Sequence, residues 1–141
     1  MDLFWPDSFD EQLDRLERDA DSGDARARAV FEYIVSEMDY VRRLKAPPHE
    51  DTPTIKGVRQ AKKYALWRVS HPFHDGIAVR LICWFPPDEE TVVVALFSGD
   101  KANMGDVFYD SVGRRADQII DKWIREGEVD EDGPEIIQKG K

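Results

Sequence analysis

Six cations and one acid fall between residues 53 and 84: Lys56, Arg59, Lys62, Lys63, Arg68 and Arg80 against Asp75. Such side chains bind anions, and the planar guanidinium fork suits phosphate. Arg80 is the most informative of them. It interrupts the apolar run Ile77-Ala78-Val79-Arg80-Leu81-Ile82-Cys83-Trp84-Phe85 and shares a strand face with Ala78, Ile82 and Trp84. An unpaired guanidinium is very costly to bury, so Arg80 either pairs with a helix carboxylate or reaches a groove as a phosphate ligand. Both readings stand on spacing alone. Arg68 sits inside Tyr64-Ala65-Leu66-Trp67-Arg68-Val69, and antiparallel pairing about Pro72–Gly76 brings it near Arg80. Two cations on one sheet face repel unless an anion lies between them. Lys56, Arg59, Lys62 and Lys63 form either a solvated face or, with the two arginines, a track for a nucleic-acid backbone. Tyr64, Trp67, Phe73 and Trp84 are interleaved with them; most must be core, and any exposed ring offers a stacking surface for a base.

Further along, Lys101 follows an apolar strand in Ser98-Gly99-Asp100-Lys101 and is a candidate anion ligand. One glycine and no Gly-Lys-Ser/Thr run exclude a phosphate-binding loop of the nucleotide-hydrolase type. Tyr109 and Arg114 lie at the start of the last helix, where the backbone favours anions. His71 and His74 flank a turn and read either as exposed loop residues or as general acid–base groups. No cysteine or carboxylate cluster completes a metal site with them. Cys83, the single cysteine, lies in an apolar run and reads as a buried small residue.

These side chains need elements to hold them. Ser8-Phe9-Asp10-Glu11 has the spacing of a capping box, and Phe9, Leu13, Leu16 and Ala20 follow at helical spacing. Gly23 ends this helix and Asp24 caps a second, over 25–44, whose stripe is Val30, Phe31, Ile34, Val35, Met38 and Val41. The short connection implies an antiparallel hairpin. Pro47, Pro48 and Pro53 mark a loop. Strands are expected over 64–69, 77–85 and 91–97, joined as a meander, with Leu3-Phe4-Trp5 as an added edge strand. A helix over 107–125 carries Val112, Ala116, Ile119, Ile120, Trp123 and Ile124 on one stripe. The expected fold class is α+β: a helical hairpin packed on a small antiparallel sheet of three to four strands, with a closing helix. Residues 1–126 form one domain in this reading, and 127–141 an acidic, flexible tail.

At 141 residues, 41% hydrophobic and 35% charged, the chain can bury one core. The net charge of −9 is unevenly spread: acidic ends enclose the basic segment, so an anionic partner is not excluded. No apolar run reaches membrane-spanning length, no signal peptide is evident, and a cytoplasmic protein that does not engage membranes is expected.

The order of elements resembles the RelE/ParE/HigB superfamily of bacterial toxins, especially its HigB-like, phage-derived branch. The likeness rests on the helical hairpin, Leu66-Trp67-Arg68-Val69, Gly76-Ile77-Ala78-Val79-Arg80, the apolar strand ending in Phe97 with Lys101 after it, and the helix carrying Arg114, Arg115 and Ala116. It spans roughly residues 1–126. The resemblance implies a toxin of a type II toxin–antitoxin pair, cleaving mRNA in the ribosome with neither metal nor cofactor. By position, Arg68 and Arg80 match strand arginines that stabilise the developing charge. Lys101 stands where the family usually has a pair of lysines. Lys56, Arg59, Lys62, Lys63, Tyr109 and Arg114 would hold RNA. The implied partners are mRNA, the ribosome and a helix-turn-helix antitoxin from an adjacent gene. A ParE-like toxin that binds gyrase and a non-toxic relative acting as an interaction module are the alternatives.

Overall fold

A computed structural model describes residues 1–72, 74, 76–101, 107–129 and 137–139. The chain opens with strand β1 (Asp2–Pro6), which leads directly into helix α1 (Asp7–Asp21). Pro6 itself is the N-cap, in extended conformation at φ −75°, and no side chain caps the helix. Ser8 is therefore not a cap, contrary to the spacing. The strand ends on a residue that cannot continue its ladder, so the helix begins two residues earlier. Asp7 and Asp10 in the first turn complement the helix dipole instead.

Gly23, at φ +104°, makes the turn, and the Asp24 side chain accepts from the Ala27 N–H at 3.0 Å to start α2 (Ala25–Arg42). Ile34, Met38 and Val41 of α2 and Phe9 of α1 enter the core. Val35, expected in the same stripe, faces outward and is 46% exposed.

The rest of the sheet follows: β2 (Ile55–Gly57), β3 (Trp67–Ser70), β4 (Val79–Trp84) and β5 (Val92–Asp100), then helix α3 (Val107–Val129) and strand β6 (Ile137–Lys139). Spatial order is β2-β3-β4-β5-β1-β6. The run from β2 to β5 is an antiparallel meander, β1 lies parallel to β5, and β6 pairs antiparallel with β1. The sheet is thus mixed and larger than the three to four antiparallel strands expected. The hydrophobic pattern missed β2, a three-residue strand with one buried side chain. Leu3-Phe4-Trp5 is an inner strand, covered by β6 from the segment read as a tail. Phe73, Asp75 and residues 102–106, which include part of the loop after β5, lie outside the described residues.

Helices cover both faces. The α1–α2 hairpin packs on Val69, Leu81, Cys83, Val93 and Ala95, while Val112, Ala116 and Ile120 of α3 pack on Ile82, Trp84, Val94, Leu96 and Phe97. Double burial explains why β4 and β5 read as continuous apolar runs. Between Ile82 and Cys83 the β4–β5 register slips: Ile82 pairs with Phe97, but Cys83 pairs with Ala95. The extra residue in β5 puts Leu96 and Phe97 into the same core and inverts the alternation of every residue after them.

Candidate functional site

Alternation beyond the bulge decides the site. Ser98 and Asp100, opposite Leu81 and Val79, face the α1–α2 hairpin; Gly99, opposite Arg80, and then Lys101 face the α3 side. Asp100 accepts from the Ala78 N–H at 3.0 Å and pairs with Arg26 of α2, which also donates to the Gly76 carbonyl at 3.1 Å. The carboxylate adjacent in sequence to Lys101 is thereby removed from it and neutralised. The Lys101 backbone N–H donates to the Ala78 carbonyl at 2.9 Å, anchoring the strand end.

On the α3 face, register aligns the cations. Lys56 of β2 lies directly opposite Arg68 of β3, and Arg68 is opposite Ile82 of β4. Arg80, opposite Ser70, is one diagonal step away on the same face. The expected antiparallel pairing of their two strands is present, although Arg68 and Arg80 are not opposite one another. Like charges directly opposite one another destabilise a sheet, so the Lys56–Arg68 pair costs folding stability.

Lys56, Arg59, Arg68 and Lys101 line one groove of about 300 Å³, with Tyr109 and Asp51. Tyr109 of α3 is only 7% exposed. Its ring centroid lies 5.3 Å from the Lys101 Nζ and 5.8 Å from the Arg68 Cζ. The π-face thus holds both cations in place, a positioning role rather than an open stacking surface. Asp51, the groove's carboxylate, accepts from the Gly57 N–H at 2.8 Å. Thr52 braces the same turn, its hydroxyl accepting from the Ile55 N–H at 3.1 Å.

Arg80 does not line this groove. It is partly buried, donates from Nη1 to the Val79 carbonyl at 3.0 Å, and leaves Nε without a partner. Its charge acts on one helix carboxyl, Glu37 of α2, and lowers that group's pKa. Burial pushes the Glu37 pKa up to about 9 despite Arg80, so this group is neutral at pH 7. Neither of its oxygens has a hydrogen-bond partner among the described residues.

The other basic side chains do structural work elsewhere. Lys63 donates to Asp121 of α3 at 2.8 Å, and its backbone N–H donates to Asp117 at 3.3 Å. Tyr64 donates to the same Asp121. The Lys63 and Tyr64 hydrogen bonds hold the Asp121 pKa below the usual carboxylate range. Lys62 packs its stem beside Gly113. Arg114 is exposed on α3. Lys62, Lys63 and Arg114 are not among the residues lining the groove.

His71 is not a free acid–base group. Its ring stacks on Tyr33 of α2 at 3.7 Å, Nε2 accepts from the Val79 N–H at 3.0 Å, and Nδ1 lies 2.6 Å from the Pro72 carbonyl. Both contacts require the neutral tautomer protonated on Nδ1, and burial lowers its pKa accordingly. Cys83 is fully buried, and desolvation raises its thiol pKa well above the ordinary range.

The groove can therefore hold an anion among two lysines and two arginines. No group of three His, Cys, Asp or Glu suited to a metal occurs among the described residues, and none of the helices described is long and apolar enough to cross a membrane. Sequence reasoning missed Asp51, whose place depends on the β2 turn, and the Arg26–Asp100 clamp, which depends on the bulge. No family model matches the chain, and no curated protein or solved structure matches it either.

Proposed function

We propose that the chain is a toxin of a type II toxin–antitoxin system, an endoribonuclease that acts on ribosome-bound mRNA in the cytoplasm through its cationic groove. The observation that carries this reading is the placement of Lys56 directly opposite Arg68, within a groove shared with Arg59 and Lys101. A sheet that tolerates facing like charges has a use for the field they create, and a phosphodiester backbone is the matching ligand. In cleavage, the 2′-oxygen loses its proton to water and attacks the adjacent phosphorus while the P–O5′ bond breaks, giving a 2′,3′-cyclic phosphate and a 5′-hydroxyl that takes its proton from water. Arg68 and Lys101 stabilise the charge gathered on the phosphoryl oxygens, and Arg80, outside the groove's lining, takes no direct part. Lys56 and Arg59 hold the flanking backbone. A helix-turn-helix antitoxin that covers this face would silence it.

A second reading is binding without cleavage. It is favoured by the groove's lining, which among the described residues includes no histidine and one carboxylate, engaged by the Gly57 N–H. Such a protein is a ParE-like gyrase-binding toxin or a non-toxic anion-binding relative.

The test is induction of the chain in a bacterial host beside a Lys56→Ala/Arg68→Ala variant. Removing facing like charges should leave thermal stability equal or higher while abolishing growth arrest. Arrest by the wild type with new mRNA ends supports the nuclease. Arrest without cut mRNA favours the gyrase-binding alternative. Equal arrest by wild type and variant, or no arrest with soluble folded protein, sinks the toxin assignment to this groove.

A further inference from the structure

A second groove runs along the outer side of the helical hairpin, with a volume of about 480 Å³. Positions 10, 13, 14 and 17 of α1 line one side and 31, 35, 38, 39 and 42 of α2 the other. These spacings trace one stripe on each helix, so the groove follows the hairpin for roughly 16 Å along α2. Its floor is apolar: Trp5, Leu13, Phe31 and Val35 contribute to it. Val35 is one of only two large hydrophobic side chains more than a third exposed among the described residues. Its rim is acidic. Asp14 and Glu17 are exposed on α1, whereas Asp39 is occupied by Arg43 at 2.9 Å and Asp10 accepts from the Trp5 indole at 3.1 Å.

We propose that this groove docks a basic amphipathic helix of a partner protein, about three turns long. A helix laid between α1 and α2 would cover Val35 and complete a three-helix layer, apolar side chains entering the floor as knobs. Lysine or arginine on its flanks would meet Asp14 and Glu17, and this complementarity would set orientation and partner choice. A second copy of the chain is a poor occupant, because its own hairpin brings the same negative rim to the contact. The hairpin covers the opposite side of the sheet from Lys56, Arg68 and Lys101, so docking here leaves the cationic groove open. The proposal is independent of what that groove does.

The probe is a fluorescein-labelled synthetic helix of about 18 residues with leucines along one face and lysines on both flanks, titrated with the full chain and read by anisotropy. Its counterpart keeps the leucines and carries glutamates instead. The wild type should bind the lysine peptide about tenfold or more tightly than the glutamate peptide, and Asp14→Lys/Glu17→Lys should invert that order. Glu11→Lys/Glu32→Lys makes the same charge change at exposed positions outside the groove and should keep the wild-type order. Val35→Glu, a single exposed substitution, should weaken the lysine peptide about tenfold. Equal affinity for the two peptides, no binding of the lysine peptide, inversion by the Glu11/Glu32 variant, or unchanged binding by Val35→Glu each overturns the proposal.

Discussion

Replacing Gly113 with alanine should destabilise the fold and open the cationic groove, although the residue lies inside a helix. On a free helix surface this change stabilises by about 1 kcal/mol, because glycine loses more backbone entropy than alanine. Here a Cβ at position 113 would meet the Gln60 carbonyl oxygen at 2.4 Å and the Lys62 Cγ at 2.8 Å. The lysine stem can swing aside. The carbonyl cannot, because its loop is closed on itself before the contact and fastened to α3 after it. Ala61 N–H bonds back to the Val58 carbonyl at 3.3 Å, and Lys63 is tied to Asp117 and Asp121. Relief requires α3 and the loop to separate by roughly 1 Å, and a contact this close with backbone puts the overpacking cost in the upper part of the usual range, about 2 to 3 kcal/mol, above the helix-propensity gain. The expected net loss is about 1 to 2 kcal/mol, read as a fall in Tm of roughly 3 to 10 °C. Arg59 rides on the displaced loop, so affinity for a short single-stranded RNA should drop as well. Gln118→Ala, at an exposed site on the same helix, controls for propensity alone. An unchanged or raised Tm for Gly113→Ala would refute the claim that backbone contact holds loop and helix together.

Glu37→Gln should flatten the stability of the protein between pH 5 and 8. The Glu37 carboxyl titrates at about 9 when folded against an ordinary 4.5, so the unfolded chain releases a proton that the folded chain keeps. Stability from this group is complete below pH 4.5 and falls as pH rises toward 9, amounting to about 3 kcal/mol by pH 7. Urea midpoints at pH 5 and pH 8 measure it; parallel slopes for wild type and Gln variant would place the group in water rather than the core. Asp100→Ala should cost about 1 to 3 kcal/mol in urea unfolding, since it strands the Ala78 N–H and the Arg26 guanidinium together. Arg26→Ala in that background should then add little, and additive losses would show that the clamp is not a unit.

The helices and the inner strands were legible because their signals are local. Phe9, Ile34, Met38 and Val41 recur at helical spacing, and Asp24 and Gly23 carry turn chemistry that does not depend on distant residues. The unbroken apolar runs of β4 and β5 reflect burial on both faces. What escaped reading is set by contacts far apart in sequence. β2 is short and half-exposed, and it becomes a strand only because β3 offers a free edge. Ser8 matched a capping pattern, but the helix start is decided by where β1 stops pairing. Of the site, Lys56, Arg59, Arg68, Lys101 and Tyr109 converge as their types suggested. Lys62, Lys63 and Arg114 do not, because Asp117, Asp121 and the close approach at Gly113 turn that part of the basic segment toward α3. Nothing in residue type separates a lysine that binds a ligand from one that ties a loop to a helix.

Charge sorting explains how a chain of net charge −9 keeps a cationic groove. Physiological salt screens exposed charges beyond about 8 Å, so the field in the groove is set by its own lining rather than by the acidic hairpin across the sheet. Asp51 and Asp100 each lie close in sequence to a cation of the groove. Asp51 stays in the groove but spends one oxygen on the Gly57 N–H. Asp100 is removed altogether, and the agent is the register slip between Ile82 and Cys83. Without the extra residue in β5, alternation would send Asp100 to the side of Arg68 and Lys101 to the side of Arg26. Arg26 would then face a lysine, and the groove would gain an acid as it lost a cation. The bulge therefore matters more for the groove's electrostatics than for the sheet's shape, since one inserted residue decides which of two adjacent, oppositely charged side chains faces Arg68.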